Sequence, residues 1–166
     1  AAALPAGVQR VADVPYGADP LQRMDVYLPA AGGGASSAAV ASGTRAPVIF
    51  MVHGGAWRTG DKAMSRVLQE KVARWVPKGF VFISVNYRLY PAVNVLQEAQ
   101  DVAVALAAAQ SRAASWGADA SRFILMGHSA GAHLVRSSMH RPPWPSARGP
   151  GPGWARVGDA LMSDTR

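Results

Sequence analysis

An apolar segment that ends in a serine set between small residues decides the fold. It reads Phe123-Ile124-Leu125-Met126-Gly127-His128-Ser129-Ala130-Gly131. The apolar run predicts a buried strand, and the residues after Gly131 predict a helix. A strand that turns so sharply into a helix has room only for small side chains beside the serine. The segment therefore predicts a strand–turn–helix unit with the hydroxyl of Ser129 exposed on a strained turn.

Other apolar runs alternate with helical patterns before this unit. The expected strands are Pro47–Val52, Phe80–Val85 and Phe123–Met126, and the expected helices are Met64–Val76 and Val95–Ala114. Because buried strands that alternate with helices form βαβ units, the sheet is predicted to be mostly parallel. Val8–Val14 and Arg23–Leu28 flank a turn-rich segment and predict an N-terminal antiparallel hairpin. The fold class is α/β, with helices on both faces of the sheet.

Composition excludes several classes of protein. The chain has 166 residues, of which 49% are hydrophobic and 16% charged, so it can bury a core and is not a disordered chain. The absence of cysteine excludes a disulfide scaffold, a thiol nucleophile and a Cys-ligated metal site. No apolar stretch approaches the ~20 residues that span a bilayer, so no membrane association is expected. The net charge of +7 comes from basic residues scattered singly, and we expect no nucleic-acid partner.

The two ends of the chain differ from its middle. Residues 1–140 are predicted to form a partial domain, in which the Ala-, Gly- and Ser-rich residues 30–46 form a surface loop. Residues 141–166 are rich in Pro, Gly and Arg, and we expect an irregular tail there. This change of composition suggests a truncated or frame-shifted C-terminus. It would leave the strand Phe123–Met126 as an apolar sheet edge that favours self-association. Because the chain begins at Ala1 without Met, the compartment stays open between cytoplasmic and exported.

Two further loops follow predicted strands at the edge of the sheet where ligands gather. His53-Gly54-Gly55-Ala56-Trp57 follows the first of these strands. Adjacent glycines let a backbone turn its N–H groups toward one point, as an oxyanion requires. Asn86-Tyr87-Arg88-Leu89-Tyr90-Pro91 follows the next strand. We expect Tyr87 and Arg88 to brace the loops, and contact of Tyr90 with a substrate is the alternative.

These motifs together resemble the α/β-hydrolase superfamily. The resemblance is closest to its small carboxylesterases, including feruloyl and acetyl esterases, and to the kynurenine formamidases with an HGGxW motif. It covers roughly residues 16–135. It rests on the HGGAW loop, Gly60-Asp61-Lys62, Tyr87-Arg88-Leu89 with Pro91, Asp101, and the segment Gly127-His128-Ser129-Ala130-Gly131-Ala132-His133-Leu134.

The resemblance implies a serine hydrolase that acts on a small carboxylic ester through an acyl-enzyme. An arylformamide is the alternative substrate. Ser129 would be the nucleophile, and the N–H groups of Gly55, Ala56 and Ala130 would form the oxyanion hole. No cofactor or metal is implied. The remaining motif residues on the substrate side are His53, Gly54, Trp57, Tyr90, Gly127, His128 and Gly131.

The acid and the base of a catalytic triad are not identifiable. In this fold the order along the chain is Ser, then Asp or Glu, then His. After Ser129 the only acids are Asp159 and Asp164, and both histidines, His133 and His140, precede them. A packed or capping helical residue is the favoured interpretation of His133, with a general base as the alternative. We therefore expect impaired activity, and an inactive hydrolase remnant is the competing hypothesis.

Overall fold

The computed structural model describes residues 3–30 and 43–140, and within them five strands form one sheet in the order β1-β2-β4-β3-β5. The strands are β1 (Val8–Pro15), β2 (Arg23–Pro29), β3 (Ala46–Val52), β4 (Val81–Val85) and β5 (Ala118–Gly127). β1 and β2 form the predicted antiparallel hairpin, and β2 also runs antiparallel to β4. β3 lies parallel to both β4 and β5. The predicted hairpin and parallel strands are confirmed.

Within residues 3–30 and 43–140, the α-helices that connect and follow the parallel strands are α1 (Ser65–Trp75), α2 (Val95–Arg112) and α3 (Ala130–His140). Asn94 begins α2 with a capping box, in which its side chain accepts from the Gln97 N–H and the Gln97 side chain reaches back. The prediction that this helix continues to Ala114 is wrong. A 3-10 turn over Ala113–Trp116 tightens its end, and Gly117 closes it with a left-handed φ of 67°.

The two faces of the sheet bury separate apolar clusters. On one face, strand residues such as Phe50 and Ile83 pack with Leu106 of α2 and Leu134 of α3. On the other face, Ile49, Tyr27 and Phe82 pack with Leu68 and Val72 of α1. Full burial of one such side chain contributes about 1.5–3 kcal/mol. Helices on both faces, as predicted, therefore sandwich the central strands.

β5 differs from the expectation of a fully buried strand. It begins at Ala118 rather than Phe123, because Ala118 pairs with Ala46 at the start of β3. Among the described residues β5 pairs only with β3, and Ile124 is 37% exposed. This strand is the predicted apolar edge within that part of the chain, and self-association through it stays a prediction.

Some predictions fall on other parts of the chain. The irregular tail at 141–166 and most of the loop at 30–46 lie outside the described residues. Within residues 3–30 and 43–140, no helix combines the length and the apolar character that crossing a membrane requires.

Candidate active site

The turn between β5 and α3 holds only His128 and Ser129. Ser129 has a φ of 52°, a left-handed conformation that costs an L-residue roughly 1–2 kcal/mol, and its side chain is exposed. The N–H of Gly131 donates to the His128 carbonyl at 2.9 Å, and the N–H of His133 donates to the Ser129 carbonyl at 3.3 Å. These bonds start the helix directly after the serine. The predicted strained turn with an exposed Ser129 is therefore confirmed, and the chemical role of Ser129 stays a prediction.

Three glycines let this turn lie against the loop that follows β3. A Cβ on Gly127 would stand 2.5 Å from the Cα of Ala132, and one on Gly131 would meet the carbonyl oxygens of Val52 and His53. A Cβ on Gly54 would stand 2.6 Å from the His128 carbonyl oxygen and 3.1 Å from the Cβ of Ser129. No side chain larger than hydrogen fits at these positions. The HGGAW loop and Ser129 therefore lie in direct contact.

The HGGAW loop turns through three consecutive residues with positive φ. The φ angles are 134° at Gly55, 51° at Ala56 and 63° at Trp57. The Gly55 carbonyl accepts the N–H groups of Arg58 and Thr59, both at 3.0 Å. These two hydrogen bonds close the loop through the Gly55 carbonyl and do not use the N–H groups of Gly55 and Ala56.

Three backbone amides around the serine have no acceptor. Within residues 3–30 and 43–140, the N–H groups of Gly55, Ala56 and Ala130 donate no hydrogen bond. Ala130 is the first residue of α3, and the first N–H groups of a helix have no acceptor in the helix itself. Backbone donors in folded proteins are nearly always paired. These unpaired donors are the three that the sequence analysis named for an oxyanion hole, and that role stays a prediction.

The buried ring of His53 supports the HGGAW loop. It stacks on Tyr87, with the ring centroids 4.5 Å apart and 16° between the planes. The Tyr87 hydroxyl donates to the His53 carbonyl at 2.8 Å, and His53 Nδ1 lies 2.8 Å from the Gly54 carbonyl. Burial lowers the pKa of His53 and raises the pKa of Tyr87. Both rings therefore act as neutral packing groups.

Arg88 fixes the loop that follows β4. Its guanidinium binds Asp101 of α2 with two hydrogen bonds, Nε to Oδ2 at 2.9 Å and Nη2 to Oδ1 at 2.7 Å. The Arg88 N–H also donates to Oδ2 at 3.1 Å, and Gln22 donates to Oδ1 at 3.0 Å. The predicted bracing by Tyr87 and Arg88 is confirmed.

The sequence analysis missed Glu98. This residue lies in the first turn of α2, is fully buried, and accepts the Tyr90 N–H at Oε1 over 3.1 Å. Its Oε2 has no partner among the described residues, and burial raises the pKa of Glu98 to about 7. The same Tyr90 N–H also donates to the Trp57 carbonyl at 2.9 Å, so Glu98 is joined to the HGGAW loop. The sequence signal for Glu98 was its position one helical turn before Asp101 on the same predicted helix.

A charged group around Asp61 and Lys62 holds the segment after the HGGAW loop, and the sequence analysis missed the partners of these two residues. The ammonium of Lys62 lies 2.9 Å from both Asp13 and Asp25. Asn86 donates to Asp61 at 2.8 Å and accepts the Lys62 N–H at 2.5 Å. The Gly60-Asp61-Lys62 motif therefore ties the loop to β1, β2 and the end of β4. An aspartate inside the apolar strand β2 was the signal for this cluster.

The described side chains of His128 and His133 make no hydrogen bond with the hydroxyl of Ser129. Among the described residues, Ser129 Oγ has no hydrogen-bond partner. His133 is exposed and sets its ring edge against Trp57, with the centroids 5.7 Å apart. His128 is exposed in the turn, and the side chain of His140 lies outside the description. In the part of the chain that the structure describes, no three His, Asp or Glu side chains come together as a metal site would need.

Two solved structures that are similar to this chain bear the names of esterases. An inhibited esterase B from Lactobacillus rhamnosis superposes with a TM-score of 0.63 and 29% identity, over 80% of this chain and 40% of that one. A truncated carbohydrate esterase from gut microbiota gives a TM-score of 0.63 and 27% identity, over 76% of this chain and 41% of that one. The fold is that of the α/β-hydrolases, and the chain is carboxylesterase-like.

Comparison with families and curated proteins agrees with this class. The model of the BD-FAE family matches residues 24–140, and the chain belongs to that family. A probable isoprenylcysteine alpha-carbonyl methylesterase of Oryza sativa subsp. japonica is 30% identical over 126 residues, 76% of this chain and 27% of its own length. Esterase LipQ of Mycobacterium tuberculosis is 34% identical over 96 residues, 58% of this chain and 22% of its own length. The chain thus spans about a quarter of the length of these two relatives.

Proposed function

We propose that this chain carries the nucleophile half of a carboxylic ester hydrolase, with Ser129 as the nucleophile. Its oxygen attacks the ester carbonyl carbon, the alcohol leaves, and water then cleaves the acyl-enzyme. The observation that carries the proposal is the set of three unpaired N–H groups, on Gly55, Ala56 and Ala130, beside an exposed serine.

These N–H groups would bind the oxyanion that forms when the serine attacks. An oxyanion is a stronger acceptor than the carbonyl oxygen from which it forms, so fixed donors stabilise the transition state more than the substrate. Loss of one such donor costs about 10²–10³ in rate in a serine hydrolase. In this site all three proposed donors are backbone N–H groups, and none is a side chain. The glycines of the two loops leave room for the backbone to position them.

A general base is the missing element of the proposal. Because Ser129 Oγ has no partner among the described residues, we infer that the chain turns over slowly. An oxyanion hole and substrate binding alone leave about 10³–10⁴-fold acceleration over water in a hydrolase without its triad. His133, one helical turn after Ser129, is the base to test first.

The substrate class proposed is a small carboxylic ester. The curated relatives and the solved structures described above bear the names of esterases, which favours an ester over an arylformamide. Trp57 and Tyr90 beside the site suit an aromatic or short acyl group.

The proposal is tested by intact mass of the purified chain before and after treatment with a fluorophosphonate, which phosphonylates activated serines. We expect one adduct on the wild type and none on Ser129→Ala. Ser138→Ala is the matched control, because Ser138 lies on the same helix and donates to the Val135 carbonyl. An unlabelled wild type would overturn the nucleophile assignment, and so would an adduct that persists in Ser129→Ala.

Hydrolysis of p-nitrophenyl acetate by the same variants then measures turnover. We expect slow release of nitrophenol that Ser129→Ala abolishes and Ser138→Ala leaves unchanged. If His133→Ala also abolishes both labelling and release, His133 is the base. Labelling that is unchanged in His133→Ala would place the residual activity on the oxyanion hole alone.

A further inference from the structure

A small cleft lies beside the HGGAW loop and belongs to none of the roles assigned so far. Its volume is about 170 Å³, and it is lined by Ala56, Trp57, Arg58, Tyr90 and Val95. Pockets that enclose a whole small ligand measure about 300–1,000 Å³. This cleft therefore holds one group of a ligand rather than all of it. Ala56 belongs to both the cleft and the set of unpaired amides, so the group bound there would be part of the molecule whose oxygen those amides bind.

Arg58 brings a positive charge to the rim of the cleft. Its guanidinium carbon lies 4.5 Å from the centroid of the Tyr90 ring, and both side chains are exposed. A ring face attracts a guanidinium and orients it but accepts none of its hydrogen bonds in the way a carboxylate does. The contact thus positions the charge and leaves its planar set of donors available.

Arg58 differs in this respect from other cations near the site. Arg88 is neutralised by Asp101, and Lys62 by Asp13 and Asp25. No carboxylate of the described residues lies in ion-pair contact with Arg58. Arg58 is thus a cation that the fold orients without an internal anion, and it lines the same cleft as Ala56, so its guanidinium is available to an external carboxylate.

The surroundings of the cleft reinforce the positive charge. Val95 is the first residue of α2, where a helix carries a partial positive charge. Among the described residues, no acid lines the cleft. The carboxyl of Glu98, which accepts the Tyr90 N–H, is fully buried and does not line the cleft. Its pKa of about 7 leaves it only partly ionised at neutral pH, and Asp101 behind it is paired with Arg88.

We propose that this cleft is a subsite for an anionic group of the substrate, with Arg58 as the residue that determines this specificity. The inference rests on the proposed function, because it takes Ser129 and the unpaired amides as the place of the ester carbonyl. The preferred substrate is then an ester with a carboxylate on its short aromatic or aliphatic part. The guanidinium binds the carboxylate with two parallel hydrogen bonds while Trp57 and Tyr90 contact the apolar portion.

Equilibrium binding tests the subsite without requiring catalysis. Benzoate and its neutral analogue benzamide are titrated calorimetrically into the full chain and into Arg58→Gln. We expect the wild type to bind benzoate about tenfold more tightly than benzamide, and Arg58→Gln to lose that difference. Arg74→Gln is the matched control, since Arg74 is also exposed and lies over an aromatic ring, that of Trp75 on α1. Equal benzoate affinity in the wild type and Arg58→Gln overturns the proposal, and so does an equal loss in Arg74→Gln.

Labelling kinetics separate this inference from the function on which it rests. Ser129 is treated with two aryl phosphonates that differ only in a carboxylate on the ring. We expect the carboxylate-bearing reagent to react about tenfold faster with the wild type and at the same rate as the neutral one with Arg58→Gln. If neither reagent reacts while benzoate still binds through Arg58, the nucleophile assignment fails and the subsite stands. If both react at one rate in both proteins, the subsite fails and the nucleophile assignment stands.

Discussion

Two loops at the same edge of the sheet are held by opposite means. The turn after β5 is held by the absence of side chains, because Gly127, Gly131 and the facing Gly54 let backbone atoms touch. The loop after β4 is held by side chains, through Tyr87, the Arg88–Asp101 pair and Glu98. Where backbone atoms touch, even the smallest added side chain collides with them. A set of hydrogen bonds, in contrast, can lose one bond while the others remain. The turn that holds Ser129 is thus an all-or-none element, and the loop after β4, the bracing loop, is an adjustable one.

The largest effect on stability is expected from a methyl group at Gly131. We expect Gly131→Ala to lower the free energy of unfolding by about 4 kcal/mol or to prevent folding, because the Cβ would meet the carbonyl oxygens of Val52 and His53. Urea denaturation followed by circular dichroism measures the change. Gly117→Ala is the control: its φ of 67° is strained but its surroundings are open, so about 1–2 kcal/mol is expected. Equal losses in both variants would show that strain, not close contact, dominates.

The bracing loop is tested next at its ion pair. We expect Asp101→Asn to lower the free energy of unfolding by about 3 kcal/mol, because it leaves Arg88 without its charged partner next to a buried position. The protein should still fold, unlike Gly131→Ala. Asp13→Asn makes the same change at an exposed carboxylate paired with Lys62, and a much smaller effect is expected in the same denaturation experiment. A larger loss for Asp13→Asn would contradict the role given to burial.

The raised pKa of Glu98 predicts that the stability of the folded chain depends on pH. Its pKa rises from an ordinary 4.5 to about 7, so the folded chain keeps a proton that the unfolded chain has lost between these values. The contribution to stability therefore falls as pH rises from 4.5 to 7, by on the order of 3 kcal/mol in total. We expect Glu98→Gln to remove this slope and to raise the melting temperature at pH 8 more than at pH 4.

The control for that titration is Glu70→Gln, which removes an exposed carboxyl on α1. Its melting temperature should follow the wild type across the whole pH range. A slope that survives in Glu98→Gln would assign the pH dependence to another group.

The smallest effect is expected at the hydrogen bond between Tyr87 and His53, which links the loop after β4 to the HGGAW loop. We expect Tyr87→Phe to lower the free energy of unfolding by about 1 kcal/mol, since it removes the hydrogen bond to the His53 carbonyl, the same oxygen that Gly131 approaches. The His53–Tyr87 ring stacking stays in place. Tyr90→Phe is the control, because the Tyr90 hydroxyl has no hydrogen-bond partner among the described residues, and it should change stability by less than about 0.5 kcal/mol. Denaturant titration of both variants distinguishes the two effects.

The sequence was informative where local pattern determines structure. The apolar runs of β3 and β4 and the small residues around Ser129 predict the strands and the turn, because sterics act within a few residues. Glu98 was missed because its hydrogen-bond partner, the Tyr90 N–H, lies on another segment and also bonds to the Trp57 carbonyl on a third. The early start of β5 was missed for the same reason, since Ala118 is a strand residue only through its pairing with Ala46.

The position of β3 between β4 and β5 also has a consequence for synthesis. Val48 pairs with Val81 on one side and with Phe123 on the other, so its two neighbours leave the ribosome at different times. At about 5–20 residues per second, several seconds pass between the appearance of β3 and that of β5. During this interval one edge of the most apolar strand has no partner. A nascent chain of this design is expected to bind chaperones that recognise short apolar segments, and slower translation between β4 and β5 should prolong that binding.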